Sequence, residues 1–370
     1  MKIGLVLPGF SANEQDWCIP ALLDLVRTLA RENTIHVYAL EYPYRRDNYP
    51  VYGATVHSLK GGNRGKAYAP RLWRTALAAI RAEHRRGQFD VLHAFWANEP
   101  GLIALLAARN LGIPLVASVA GGELSALRDI GYGGQLHFIE RMMIRVVIHN
   151  TERVTVGSQY MRQMAHTLRM KVEVLPLGVD TTLFSPSLRK QSKPFRLLNV
   201  GSLVPVKGHA VLLDAVAKLG RSGLCLEIAG EGSLKDELSA RALHLGISSR
   251  VQFSDSIPHH LLVDKYRTAD LFVQSSLHEA QGMALLEAAA CGTDVVGTAV
   301  GVLPELAVQG AAVTSRSLRA DDLAAAIVEA LEVREQLACR ARETATREYD
   351  LERTCSKWTH LYQETKSRHA

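Results

Sequence analysis

No stretch of the 370 residues reaches the roughly eighteen consecutive apolar residues that a helix needs to cross a bilayer. A helical membrane anchor is therefore not expected. Residues 1–10 also lack the basic-then-apolar order of a secretory signal and read better as a strand, so the expectation is a cytoplasmic protein. Only five cysteines occur (Cys18, Cys225, Cys291, Cys339 and Cys355), and no two form a CxxC pair. That spacing encodes neither a zinc ribbon nor a disulfide framework. A paired-carboxylate Asp-x-Asp is missing as well, and no metal site is expected.

What is present is a repeated alternation of short apolar runs with amphipathic segments. Strands are expected at 2–8, 34–40, 55–59, 91–96, 114–119, 153–156 and 172–175, with helices at 14–32, 72–86, 100–111 and 139–149 between them. Parallel strands need crossover helices, so the pattern predicts a doubly wound parallel sheet. Periodicity lapses over the polar stretch 176–192, where a linker is expected. It restarts with strands at 195–200, 224–229, 251–254, 271–275, 294–298 and 311–314, followed by long helical segments at 320–347 and 351–365. The fold class is therefore α/β, with two Rossmann-like domains at residues 1–185 and 186–347 and a terminal helical segment at 348–370. Ligands in such sheets bind beyond the carboxyl ends of the strands. A hydrophobic share of 47% supplies both cores.

Charge is unevenly placed. Residues 1–185 hold 21 Lys and Arg against 15 Asp and Glu, so the first half carries the whole net charge of +6. That excess suits an anionic acceptor or a membrane surface, and it equally suits a solvated basic face. Residues 61–66 (Gly-Gly-Asn-Arg-Gly-Lys) lack the spacing of a phosphate-binding P-loop and read as a basic loop.

The most informative stretch is 275–296. Glu279 precedes a helix start at Gly282, and Glu287 follows eight residues on, so both carboxylates can face one crevice. Gly282 lets a ligand approach the backbone, and the amides of Met283, Ala284 and Leu285 favour an anion such as a phosphate.

Together with residues 200–208 (Val-Gly-Ser-Leu-Val-Pro-Val-Lys-Gly), residues 176–180 (Pro-Leu-Gly-Val-Asp) with Phe184, and Gly230-Glu231-Gly232, this stretch resembles the family 4 glycosyltransferases. The likeness is specific over residues 172–299 and looser elsewhere. It implies a GT-B fold, two such domains facing across a cleft, with the last helix returning to the first domain. It also implies metal-independent, retaining transfer of a sugar from a nucleotide-diphosphate sugar to a hydroxyl acceptor, without a cofactor. By the same resemblance Lys207 and Glu279 are catalytic. Gly201, Ser202, Lys207, Gly230, Gly282, Met283, Ala284 and Glu287 bind the donor, with Glu287 on the ribose. The acceptor side falls to Gly9, Phe10, His93, Gly121, Gly122 and Glu123.

The chain departs from the family pattern at several places. Ser202 stands where an arginine is usual, and a hydroxyl cannot replace a two-pronged guanidinium on phosphate. Ala120 stands where many relatives have histidine, and Ala280-Gln281 replaces Gly-Phe, which adds hydrogen-bonding groups near the sugar. The departures at Ser202 and Ala120 leave a second reading open, a non-catalytic relative that binds a nucleotide sugar or supports a partner enzyme.

Overall fold

The computed structural model describes residues 1–62, 69–187, 194–220 and 223–369. The elements run in chain order. First come β1 (Lys2–Gly9), α1 (Pro20–Leu29), β2 (Thr34–Tyr42), β3 (Arg46–Val51), β4 (Ala54–Leu59), α2 (Ala69–Arg86) and β5 (Val91–Phe95). Next are α3 (Glu99–Leu111), β6 (Leu115–Val119), α4 (Phe138–His149), β7 (Arg153–Val156), α5 (Gln159–Thr167) and β8 (Glu173–Val174). After residue 194 follow β9 (Phe195–Val200), α6 (His209–Leu219), β10 (Leu224–Ala229), α7 (Lys235–His244), β11 (Val251–Ser254), α8 (Leu262–Thr268) and β12 (Leu271–Gln274). The chain closes with α9 (Met283–Ala290), β13 (Asp294–Thr298), α10 (Leu303–Val308), β14 (Val313–Ser315), α11 (Ala320–Glu348) and α12 (Leu351–His369).

These elements divide into two units, residues 1–178 with 351–370, and residues 179–350. The boundaries therefore fall at 178 and 350 rather than at 185 and 347. Residues 63–66 of the expected basic loop, and 188–192 of the expected linker, lie outside the described residues.

In the first unit the sheet order is β3-β4-β2-β1-β5-β6-β7-β8, parallel throughout except for β3. Its inner strands are apolar on both faces because helices cover both sides. One side packs α1 and α12 through Leu22, Val26, Trp358 and Tyr362, and the other packs α2 and α3 through Leu72, Ile80, Ile103 and Leu105. Strand β3 escaped the sequence reading because it is polar and carries Pro50, which an exposed edge strand tolerates. It joins β4 through Tyr52 and Gly53, whose positive φ values of 44° and 82° make the two-residue turn that matches strand twist. Helix α1 begins at Pro20, later than residue 14. Asp16 instead accepts hydrogen bonds from the Ala12 amide (2.6 Å) and the Tyr42 hydroxyl (2.8 Å), which folds residues 12–16 into a loop.

The second unit has the order β11-β10-β9-β12-β13-β14, all parallel. The chain leaves β9 toward one edge and returns at β12 to build toward the other. The loops after β9 and β12 therefore part at the centre of the sheet, which opens a crevice at their carboxyl ends.

Candidate functional site

Two loops frame that crevice, and both are fixed by their own backbone. Gly208 adopts φ 65°, and a Cβ there would meet the Ser275 carbonyl oxygen at 2.1 Å, so only glycine lets the two loops touch. The Leu277 amide then donates to the Val206 carbonyl (2.7 Å), and the Ser275 hydroxyl to the Lys207 carbonyl (2.9 Å).

This seam places Lys207 against Glu279. The Lys207 ammonium lies 2.6 Å from Glu279 Oε1, and the Ser276 hydroxyl donates to the same oxygen at 2.7 Å. Both side chains are partly buried, at 29% and 16% exposure, so their attraction is screened less than that of a surface pair. The stem of Lys207 runs past Gly201, and Ser202 beside it is exposed. Gly230 packs against the Gly201 carbonyl at the end of the neighbouring strand.

Gly282 caps α9 with φ 99° and no side-chain hydrogen bond at the cap. The first amides of α9, at the half-exposed Met283 and Ala284, have no partner within the helix, which makes this end receptive to an anion. About one turn on, Glu287 is buried and already engaged. One oxygen faces His259 Nε2 (2.9 Å) and the other accepts from the Tyr266 hydroxyl (2.8 Å). Phe184 lies beside both rings, with centroids 5.2 Å from His259 and 5.9 Å from Tyr266. The sequence reading missed His259 and Tyr266. Their only local mark is a histidine pair after Pro258, which carries no spacing signal.

In the first unit the corresponding switch lies between β1 and β5. Gly9 ends β1 against Tyr42, but the other expected acceptor contacts need correction. Phe10 is 1% exposed and belongs to the core over α1. His93 does not reach a cleft mouth: it is fully buried, with Nδ1 2.8 Å from the Tyr362 hydroxyl and Nε2 2.8 Å from the Ser118 hydroxyl. Burial pushes its imidazole down to about 3, so the ring stays neutral and structural.

Glu123 is 2% exposed. Its carboxylate accepts from the amides of Ala97 (3.1 Å), Ala120 (3.2 Å) and Gly121 (2.7 Å), tying the loop after β6 to the loop after β5. Burial pushes its carboxyl up, and the three amides oppose that shift. It organises the loop and does not present itself to a ligand. Gly121 and Gly122 remain half-exposed, packed against the Trp96 and Tyr132 rings. Trp96 itself holds φ 71°, a strained setting for a non-glycine residue and one that clusters at functional sites.

Family models match nearly the whole chain in two parts: "Glycosyltransferase Family 4" over residues 21–183 and "Glycosyl transferases group 1" over 180–348. A D-inositol 3-phosphate glycosyltransferase of Frankia alni is 32% identical over 289 residues, covering 68% of this chain and 69% of the relative. The chain belongs to glycosyltransferase family 4.

A further relative of this family 4 chain, the D-inositol 3-phosphate glycosyltransferase of Mycolicibacterium smegmatis, is 34% identical over 260 residues, 62% of this chain. That match spans just over half of the relative's own length, 57%. Among solved structures, sucrose-phosphate synthase from Thermosynechococcus elongatus superposes with a TM-score of 0.85 over the full length of both chains, at 17% identity. Anabaena HepE, solved in complex with UDP-glucose, gives 0.75 over 98% of this chain and all of that chain, at 18% identity. The fold is GT-B, built from two parallel-sheet α/β units with a terminal helix. Among the described residues no helix is long and apolar enough to cross a membrane.

Proposed function

We propose that this protein is a retaining glycosyltransferase that moves a sugar from a nucleotide-diphosphate sugar to a hydroxyl acceptor that is anionic or lipid-linked. The observation that carries the reading is the Lys207–Glu279 pair at the switch point of the second sheet, beside the open amides of α9. A diphosphate seated on those amides competes with Glu279 for the Lys207 ammonium. As the bond to the anomeric carbon breaks, charge accumulates on the departing phosphate, and the ammonium neutralises it.

Glu279, relieved of its partner, stands beside the cationic sugar centre and stabilises it, as carboxylates do in glycoside hydrolysis. Glu287, held in place by His259 and Tyr266, has remaining lone pairs for the ribose hydroxyls. The first unit receives the acceptor beside Trp96, Gly121 and Gly122. No cofactor or metal enters this scheme; the nucleotide sugar is a substrate. The D-inositol 3-phosphate in the names of the two relatives favours a polyol acceptor bearing a phosphate.

The test is nucleotide release measured with a panel of UDP-, GDP- and ADP-sugars and candidate acceptors, alongside thermal shift with the free diphosphates. Stabilisation by a diphosphate with no transfer to any acceptor would favour the non-catalytic reading. Absence of both at millimolar ligand would remove the donor site itself.

A further inference from the structure

Helices α2, α3 and α4 form one layer on a single side of the first sheet, because each follows a strand that advances in the same direction across it. Helix α3 packs between the other two, so the outer faces of α2 and α4 look out the same way. Those outer faces are unusual in opposite senses.

Helix α4 buries Ile144, Val147 and Ile148 and turns a second apolar set to solvent. Phe138 and Ile139 are each 68% exposed, Met142 42% and Val146 39%. Ten large apolar side chains are exposed among the described residues, and four of them sit on this one helix, which makes a patch rather than scatter. Arg145 is exposed within the patch and the Arg141 guanidinium lies over the Phe138 ring at 5.6 Å. The single acidic residue, Glu140, is bonded to Asn98.

Helix α2 buries Leu72, Ala76 and Ile80, and on the opposite side carries Arg71, Arg74, Arg81 and Arg85, all exposed. Their spacing of three, seven and four residues draws a stripe roughly 21 Å long. None of the four pairs with a carboxylate among the described residues, and the only acid of the helix, Glu83, is turned inward to Lys2. Arg46 from β3 joins Arg71 and Arg74 around an open recess of about 690 Å³ lined by Thr75, Ala78 and Ala79.

We infer that this helical layer docks on an anionic phospholipid surface, the arginines of α2 and Arg46 meeting headgroup phosphates while Phe138, Ile139, Met142 and Val146 enter the interfacial region. A soluble polyanion would engage α2 but leave α4 bare. A protein partner covering α4 would leave an arginine stripe with nothing to neutralise it. An anionic lipid interface alone satisfies both faces of one layer, since it offers phosphates and acyl chains in adjacent zones of a single surface. The inference does not depend on the proposed transfer reaction, because no residue of it belongs to the donor crevice.

The test is co-sedimentation of the full chain with vesicles of phosphatidylcholine alone and of phosphatidylcholine mixed with phosphatidylglycerol, at low and physiological salt. The expected result is binding to the mixed vesicles only, weakening as salt rises. A variant carrying Arg71→Gln, Arg74→Gln, Arg81→Gln and Arg85→Gln should lose about tenfold or more in vesicle affinity. A second variant, Phe138→Ser, Ile139→Ser and Met142→Gln, should lose a comparable factor yet still bind heparin like the wild type. Thermal melts and nucleotide-induced stabilisation of both variants check that each unit remains folded. Undiminished vesicle binding by the second variant would overturn the proposal in favour of a purely electrostatic surface. Equal binding to neutral and anionic vesicles would also overturn it, as would a wild-type dimer that this variant converts to monomer without change in vesicle binding.

Discussion

The ammonium of Lys207 and the carboxylate of Glu279 meet at 2.6 Å across 72 residues of chain, closing the gap between the loops that follow β9 and β12. The pair is a self-made occupant of the place where a diphosphate is proposed to lie, so each partner should matter at a different stage. Lys207→Ala is expected to abolish detectable turnover. Glu279→Ala should lower kcat by about a hundredfold or more while nucleotide affinity changes little. Steady-state nucleotide release paired with calorimetry separates the two effects. A Glu279→Ala enzyme with unchanged kcat would end the idea that this carboxylate faces the reacting carbon.

Glu287 is held by His259 and Tyr266, and its substitution should be read on two axes. Glu287→Ala should weaken nucleotide binding by about 1.5 to 3 kcal/mol, the usual loss for a hydrogen bond to a charged acceptor. Tyr266→Phe removes one of the two groups that aim the carboxylate and should cost less. Equal nucleotide affinity in wild type and Glu287→Ala, measured by calorimetry, would leave the residue a packing element.

Ser202 is exposed and follows Gly201, which packs against the stem of Lys207, so an arginine placed there tests whether a guanidinium adds to the proposed diphosphate site. If Lys207 and the α9 amides already suffice, Ser202→Arg should tighten diphosphate binding by less than about tenfold. A wild-type protein that shows no diphosphate-dependent stabilisation, together with a Ser202→Arg variant that does, would point instead to a site that lapsed with its guanidinium.

Acid sensitivity should come from buried imidazoles. Burial holds His93 down to about 3 and His57 to about 4, whereas in the unfolded chain each takes up a proton near 6.5. The folded state therefore binds fewer protons below 6.5, and stability should fall as the pH drops from 6.5 toward 4. Glu123, whose carboxyl is raised by burial, acts in the opposite sense nearer its own range. His93→Gln should be less stable at neutral pH, and its unfolding free energy from urea titration should fall less steeply with acid, by about 1.4 kcal/mol per pH unit. Parallel pH profiles for variant and wild type would show that His93 is not the source.

Most of the parallel strands were legible because a strand buried on both faces must be apolar along its length, and crossover helices then follow from chirality. Strand β3 was not, since an edge strand with one solvent flank needs neither apolar runs nor a full ladder of donors. The crevice between the loops after β9 and β12 was legible where it rests on local chemistry, a glycine cap, a lysine after a strand and two spaced carboxylates. The contacts of the first-unit loops were not. The role of His93 depends on Tyr362, 269 residues away, and that of Glu123 on amides from two different loops, and neither relation leaves a trace in spacing. His259 and Tyr266 were invisible for the same reason.

Helix α12 also bears on how the molecule comes into being. Trp358, Leu361 and Tyr362 close one face of the first sheet, yet they are translated only after the whole of residues 179–350. On the ribosome the first unit thus waits half-covered, with Phe95 and its neighbours bare, while the contiguous second unit can complete its core. The unit begun earlier is the one finished later. During that interval its uncovered face is a ready substrate for chaperones and proteases.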